Sequence, residues 1–239
     1  MTTAATGGAR SRTRPRLTRE RVLRAALDYA DAHGLAALSM HKLGAELGVK
    51  GMSLYSYVAS KDALLDGIVE AMLAELAPPA AGQMSWQDAL RGYARAVRDV
   101  IRRHPAVSPL LAGRAVVPAS FLQVLDAWVR AMISGGCRED QAVALLRAVL
   151  VYAQGYALAE VSWATSQALP GPEEDDLHRF RRVAALVPGS VPDSLFALAI
   201  SLCGECDMDA QFEFGLGLMV TGAEQSLTGH VSPPGPAAS

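Results

Sequence analysis

The 239 residues predict an all-helical fold. Three observations lead there. Apolar residues recur three and four positions apart through the structured segments. No stretch alternates apolar and polar residues as a half-buried strand does. Hydroxyl residues open the periodic runs, and glycine or proline closes them. Hydrophobic residues make up 51% of the chain and charged ones 19%, enough apolar mass for a real core and too much for a disordered chain. The three cysteines exclude a disulfide scaffold and suit a reducing, cytoplasmic setting. Arg147, Gln154 and Glu160 interrupt the most apolar run, Ala142 to Ala164, so no membrane partner is expected. The amino-terminal residues lack the apolar stretch of a signal peptide.

The elements follow in order. Residues 1–16 read as a flexible basic tail. Thr18 caps a first helix, with Val22, Ala25, Ala26, Tyr29 and His33 at helical spacing and Gly34 as its stop. Ser39 caps a short helix through Met40, Leu43 and Leu47, which Gly48 ends. A second short segment runs from Gly51 to Tyr57. Ser60 caps a longer helix carrying Leu64, Leu65, Ile68, Val69, Met72 and Leu76, closed by Pro78 and Pro79. From Ser85 the helices lengthen. One places Trp86, Leu90, Tyr93, Val97 and Ile101 on a single face. The next carries Phe121, Leu122, Leu125, Trp128, Val129 and Met132. The helix from Asp140 to about Ser166 is apolar nearly all round, as a central or interface helix is. An acidic loop, a helix at about Asp193 to Cys206 and a last helix at about Asp209 to Leu227 complete the chain. Residues 229–239 read as a disordered tail.

Charge divides the chain. Residues 1–61 hold ten Lys and Arg against four Asp and Glu, while the remainder holds 12 against 20. A basic end on an acidic body points to a polyanion partner for that end alone. The same end carries the informative motif, from Ser39 to Lys61. Gly48 supplies a left-handed turn between two short helices, Val49 fills their angle, and Leu43, Leu47, Leu54 and Val58 face inward. That is a helix-turn-helix, whose second helix lies in the major groove of DNA.

The run Leu43, Leu47, Gly48, Val49, Leu54, Tyr55, Val58, Lys61, Leu64 and Leu65 resembles the DNA-binding domain of the TetR family of transcriptional regulators. Two later phrases, Ser85 to Leu90 and Phe212 to Gly222, resemble the branch with a tetracycline-repressor-like carboxy-terminal domain. The resemblance implies a DNA-binding domain over 17–77 and a ligand-binding and dimerisation domain over 85–228. It points Lys50, Gly51, Met52, Ser53, Ser56 and Tyr57 toward the groove, with Lys50 and Ser53 able to read base edges or phosphate and Met52 a thymine methyl. Tyr55 and Lys61 match the family's phosphate-contacting tyrosine and lysine. Gly51 departs from the bulkier residues common at its position. Tyr57 and Tyr55 are alternatively core aromatics. The arginines Arg10, Arg12, Arg14 and Arg16 suit weak nonspecific contact with DNA better than minor-groove readout.

The resemblance also implies an effector pocket in the larger domain. Ile101, Leu110, Leu111, Phe121, Leu125, Trp128, Met132, Tyr152, Tyr156 and Trp163 are candidates for its apolar wall, and Arg114, Gln154 and Glu160 for its polar contacts. Plain core is the competing reading for many of these. Leu111 and Ala159 stand where that branch holds a metal–drug complex through a histidine and a glutamate, so no metal or other cofactor is expected. The pair Cys203 and Cys206 has no matching ligands for zinc and no thioredoxin-like context, which leaves two small residues near a helix end or a redox switch. No nucleophile elbow, P-loop or metalloprotease motif occurs, so no enzyme is expected.

The expectation is a cytoplasmic homodimeric repressor that binds a palindromic operator in double-stranded DNA and is released by a small apolar effector. Its dimer is expected between the Asp140–Ser166 helix and the Leu216, Met219, Val220 and Ala223 face of the last helix. A related activator or ligand-independent regulator, or a helical ligand-binding module that has lost specific DNA binding, are the alternatives.

Overall fold

Hydroxyl caps fix where the early helices begin. Thr18 accepts the Arg21 amide at 3.3 Å and opens α1 (Arg19–His33). Ser39 accepts the Lys42 amide at 3.2 Å and opens α2 (Met40–Leu47). Ser60 accepts the Ala63 amide at 3.0 Å and opens α3 (Lys61–Leu73), and Ser85 accepts that of Asp88 at 3.1 Å to open α4 (Trp86–Arg103). Each cap satisfies an amide that has no partner inside its helix, typically contributing about 1 kcal/mol. This computed structural model describes residues 16–114, 116–165, 192, 194–198 and 207–228. Beyond α4 it holds α5 (Leu110–Gly113), α6 (Ala119–Ser134), α7 (Glu139–Thr165) and α8 (Met208–Thr228), and among the described residues there is no strand. The fold is all-α, as the periodicity predicts. Of the helix expected at 193–206, residues 194–198 are helical. Cys203, Cys206, the acidic loop, Arg10, Arg12, Arg14 and the carboxy-terminal tail lie outside the described residues.

The first three helices close around Val22, Leu27, Leu43, Leu54, Leu64 and Ile68, each at most 1% exposed. Gly48 ends α2 in the left-handed conformation, φ 69° and ψ 33°, where a side chain is disfavoured. Val49 packs half-buried against this core, filling the angle as expected. The second short segment is a tight 3-10 helix over Gly51–Ser56. A second feature absent from the periodicity is the short 3-10 turn Leu35–Ala37 between α1 and α2.

In the larger part of the chain α4 lies against α6, α7 and α8. The inner face of α7 buries Ala142, Leu146, Val149, Ala153 and Ala157. Its outer face leaves Val143 52% and Val151 67% exposed, so the all-round apolar pattern serves both a core and an uncovered surface. On α8 the expected interface face turns inward. Leu216 and Val220 are fully buried and Ala223 is 8% exposed, while Phe214 and Leu218, at 69% and 60%, form the uncovered stripe. Tyr152 decides this rotation: its hydroxyl donates to the Phe212 carbonyl at 2.8 Å, its ring stacks on Phe212, and a Cβ at Gly215 would lie 2.4 Å from its oxygen.

Candidate nucleic-acid interface and ligand cavity

The helix-turn-helix presents a continuous exposed rim. Lys50, Met52, Ser53, Tyr55, Ser56 and Lys61 are all exposed, Met52 at 78% and Tyr55 at 43%. Of these, Lys50, Met52 and Tyr55, with Met40, His41 and Ala45 of α2, line a shallow surface depression beside Val49 and Gly51. Ser56 spends its hydroxyl proton on the Ser53 carbonyl at 2.7 Å, which closes the 3-10 turn and leaves its oxygen lone pairs outward. Lys61 is the first residue of α3, at an end where free backbone amides favour an anion. Tyr57 does not join the rim fully: it is half-buried against the core.

Gly51 has a different job from its neighbours. A Cβ there would lie 2.8 Å from the Met40 carbonyl oxygen and 3.0 Å from the His41 Cα. On α2, a Cβ at Gly44 would lie 2.7 Å from the Gly51 nitrogen. Two glycines therefore set the closest approach of α2 and the recognition segment, and the position expected to offer a groove contact is a packing contact.

A cavity of about 190 Å³ lies between the carboxy-terminal end of α3 and the larger part of the chain. Met72, Leu73 and Leu76 form one wall, Val97, Val100 and Ile101 of α4 another, and Leu111, Val116, Val117, Phe121 and Leu150 the remainder. Arg114 and Gln154 are its polar lining. Of the sequence candidates it brings together Ile101, Leu111, Arg114, Phe121 and Gln154. The others are engaged elsewhere. Trp128 donates its indole N–H to the Ala77 carbonyl at 3.0 Å and packs on Tyr93. Met132 is fully buried core, and Leu110 and Leu125 pack half-buried against that core. Tyr152 and Tyr156 donate to the Phe212 and Met208 carbonyls and so fasten α7 to α8. Glu160 accepts two bonds from the buried Arg98 guanidinium, at 2.9 and 2.8 Å, and Arg98 also reaches Asp209 and the Met208 carbonyl and lies over the Phe212 ring. The Trp163 side chain lies outside the described residues. The α3 wall and the Val116–Val117 pair were missed; two β-branched residues before Pro118, where backbone is biased to extend, were the available signal.

Two clusters of polar and ionic contacts join α1 and α3 to the segments that follow. Arg114 donates to Asp66 at 2.5 Å and to the Asp62 carboxylate at 3.1 Å, beside Lys61. At the opposite end of α3, Glu75 accepts Arg24 of α1 and Arg103 of α4. His104 stands between two carboxylates, its Nδ1 2.6 Å from Asp31 and its Nε2 3.0 Å from Glu75; only the doubly protonated ring donates to both. Burial by itself pushes the Glu75 carboxyl up, but the hydrogen bonds from His104 and Arg24 and the charges of His104 and Arg103 outweigh it and hold it below the usual carboxylate range. A lowered folded-state pKa contributes stability that is complete above the ordinary value and is lost as pH falls through the folded one. Thermal stability is therefore expected to drop once pH falls below about 4.5, the ordinary value. Glu75→Gln should be less stable at neutral pH and flatten that acid limb. Parallel acid limbs in melting curves of the two proteins between neutral pH and pH 3, on the order of the range where carboxylates titrate, would refute this.

Comparison with known proteins adds a second line. The family model described as bacterial regulatory proteins, tetR family, matches residues 22–68, and that described as tetracyclin repressor-like, C-terminal domain, matches residues 78–227. An HTH-type transcriptional regulator of Saccharopolyspora erythraea is 31% identical over 153 residues, 64% of this chain and 65% of that protein. The tetracycline repressor protein class A from transposon 1721 of Escherichia coli is 31% identical over 204 residues, covering 84% of this chain and 88% of the repressor. Among solved structures, the Streptomyces coelicolor TetR family protein ActR in complex with actinorhodin superposes with a TM-score of 0.70 at 25% identity, over 89% of this chain and 97% of that one.

Proposed function

This chain belongs to the TetR family of bacterial transcriptional regulators, which are DNA-binding proteins and not enzymes, and from that premise we propose that it is a ligand-responsive repressor. In this reading a cytoplasmic homodimer binds a palindromic operator in double-stranded DNA, and a small, largely apolar effector releases it. Residues 17–77 form the DNA-binding domain and 85–228 the effector and dimerisation domain, flanked by the tails 1–16 and 229–239.

One observation carries the proposal. Helix α3 begins at Lys61, on the exposed helix-turn-helix rim, and the chain at its far end, through Met72, Leu73 and Leu76, walls the cavity. A ligand that fits the cavity only when α3 is displaced shifts the helix-turn-helix with it. Such coupling typically amounts to about 1–3 kcal/mol, or ~5- to 150-fold in operator affinity. The relatives support the same scheme: one is named a tetracycline repressor and one TetR protein is seen with actinorhodin. Leu111, aliphatic and on the cavity wall, favours an effector recognised without a metal.

Lys50, Met52, Ser53, Tyr55 and Ser56 contact the groove or its edges, Lys61 a phosphate, Tyr57 contributes its exposed part, and Gly51 sets the spacing. Two recognition segments related by a twofold axis meet half-sites roughly 34–36 Å apart, or a multiple of that. The twofold partner covers the uncovered stripes of α7 and α8 in a four-helix arrangement. Selection of fragments from random DNA, followed by fluorescence anisotropy on the winner, tests the proposal; binding no tighter than to random sequence at physiological salt overturns it. A reporter driven by the selected site separates repression from activation by the sign of its response. Lys61→Ala is expected to weaken operator and random DNA alike and to lower the slope of log affinity against log salt by about one. A loss confined to the operator would mark Lys61 as a base reader instead.

A further inference from the structure

We propose that the cavity selects an acid: an apolar compound bearing one carboxylate, held by Arg114 in competition with Asp62 and Asp66. The proposal rests on reading the cavity as the effector site and adds the chemical class of the effector.

The argument begins with the lining. Among the described residues the lining is apolar except Arg114 and Gln154, and Arg114 is its one charged residue. An apolar cavity with a single cation discriminates by charge. A carboxylate carried into it has a partner, whereas a ligand amine would be desolvated beside a like charge. A neutral analogue gains apolar burial alone.

The guanidinium is also available. Its bonds to Asp62 and Asp66 use Nη1 and Nη2 and leave Nε without a partner among the described residues. The Arg114 side chain is 21% exposed, but Asp62 is 85% and Asp66 49% exposed. Ion pairs with such solvated carboxylates are weak, because water replaces the cation at little cost. A ligand carboxylate sheltered in the cavity forms a bidentate pair with the same fork in a drier place, where charge-assisted bonds are stronger.

Recognition and release then become one event. Asp62 follows Lys61 directly on α3, and Asp66 lies one turn further along. An Arg114 drawn toward the cavity lets go of the end of α3 that faces DNA, and an operator-bound dimer holding α3 against Arg114 resists the acid.

The test uses a matched pair of probes, naphthalene-1-acetate and naphthalene-1-acetamide, titrated calorimetrically into the full-length protein. The acid is expected to bind about tenfold or more tighter than the amide, the scale of one added charge-assisted contact. Arg114→Gln should erase that preference, with circular dichroism and an unchanged urea midpoint reporting that the variant is folded. The double variant Asp62→Asn with Asp66→Asn removes the competitors and should tighten the acid several-fold without moving the amide. Equal binding of the two probes to the natural protein overturns the proposal. So does a preference that survives Arg114→Gln, a double variant that leaves the acid unmoved, or binding of neither probe at millimolar concentration. Repeating the titration with operator DNA present separates the two readings: Arg114-dependent acid preference with no effect of operator sustains the acid selectivity of the cavity but overturns its coupling to α3 and, with it, ligand-responsive repression.

Discussion

Leu218→Glu is expected to convert the protein from dimer to monomer and to lower operator affinity by ~10²- to 10⁴-fold, the range typical when two linked contacts become one. Leu218 is 60% exposed in the single chain and shares the outward stripe of α8 with Phe214. It touches little of its own subunit, so helical content and monomer folding should be retained. A dimer of this type covers roughly 2,000 Å² or more. In the proposed dimer, twofold symmetry places each substitution in the interface twice, and a carboxylate buried against the apolar Phe214 and Leu218 stripes is strongly disfavoured. Sedimentation equilibrium at micromolar concentration reads the assembly, and anisotropy reads the operator. The companion variant Leu216→Glu separates interface from core. Leu216 is fully buried inside the subunit, and its replacement should unfold the protein. A dimeric Leu218→Glu protein with full operator affinity would overturn the assignment of this face.

Gly44→Ala should invert an ordinary rule. Glycine within a helix costs about 1 kcal/mol relative to alanine, so the substitution normally stabilises. Here the new methyl group would lie 2.7 Å from the Gly51 nitrogen and 2.9 Å from its Cα. Neither contact is with a flexible side chain, so backbone must move. Overpacking of this kind typically costs about 1–3 kcal/mol and would push the recognition segment off α2. The expected result is a lower urea midpoint together with at least about a tenfold loss of specific operator binding, because displaced base contacts cost on the order of 1–3 kcal/mol each. Binding to random DNA at low salt should change little. A Gly44→Ala protein of unchanged or higher stability that still reads its operator would show that the two glycines do not set the spacing.

Both variants act where the sequence is least legible. The helix starts at Thr18, Ser39, Ser60 and Ser85 could be read, because a cap is a local arrangement of a side chain and an amide three residues on. The helix-turn-helix was legible for the same reason, its left-handed Gly48 and inward Leu43 and Leu54 lying close in sequence. Periodicity says that a side chain faces inward, but not whether a neighbour or a void lies opposite. Trp128, Met132 and Tyr156 thus looked like cavity lining and are core or fasteners, while Met72 and Leu76 of the α3 wall looked like core. On α8, apolar residues lie on every side, so the Leu216 and Val220 face read as the interface, whereas Tyr152, on a different helix, turns that face inward. Gly51 reads in sequence as a missing base contact, since the backbone it must clear belongs to Met40 and His41.

The ion cluster around Glu75 bears on exchanging parts between related proteins. Asp31 and Glu75 precede a junction placed between Glu75 and α4, whereas Arg103 and His104 follow it. A chimera joined there, with a foreign body behind this reading head, keeps two partly buried carboxylates and loses Arg103 and His104, two of the side chains that contact them, unless the donor body brings its own. Arg24 alone remains to face Glu75. Head and body of this protein are thus not interchangeable cassettes, and grafts that carry Arg103 and His104 along with the head should outperform those cut at the loop.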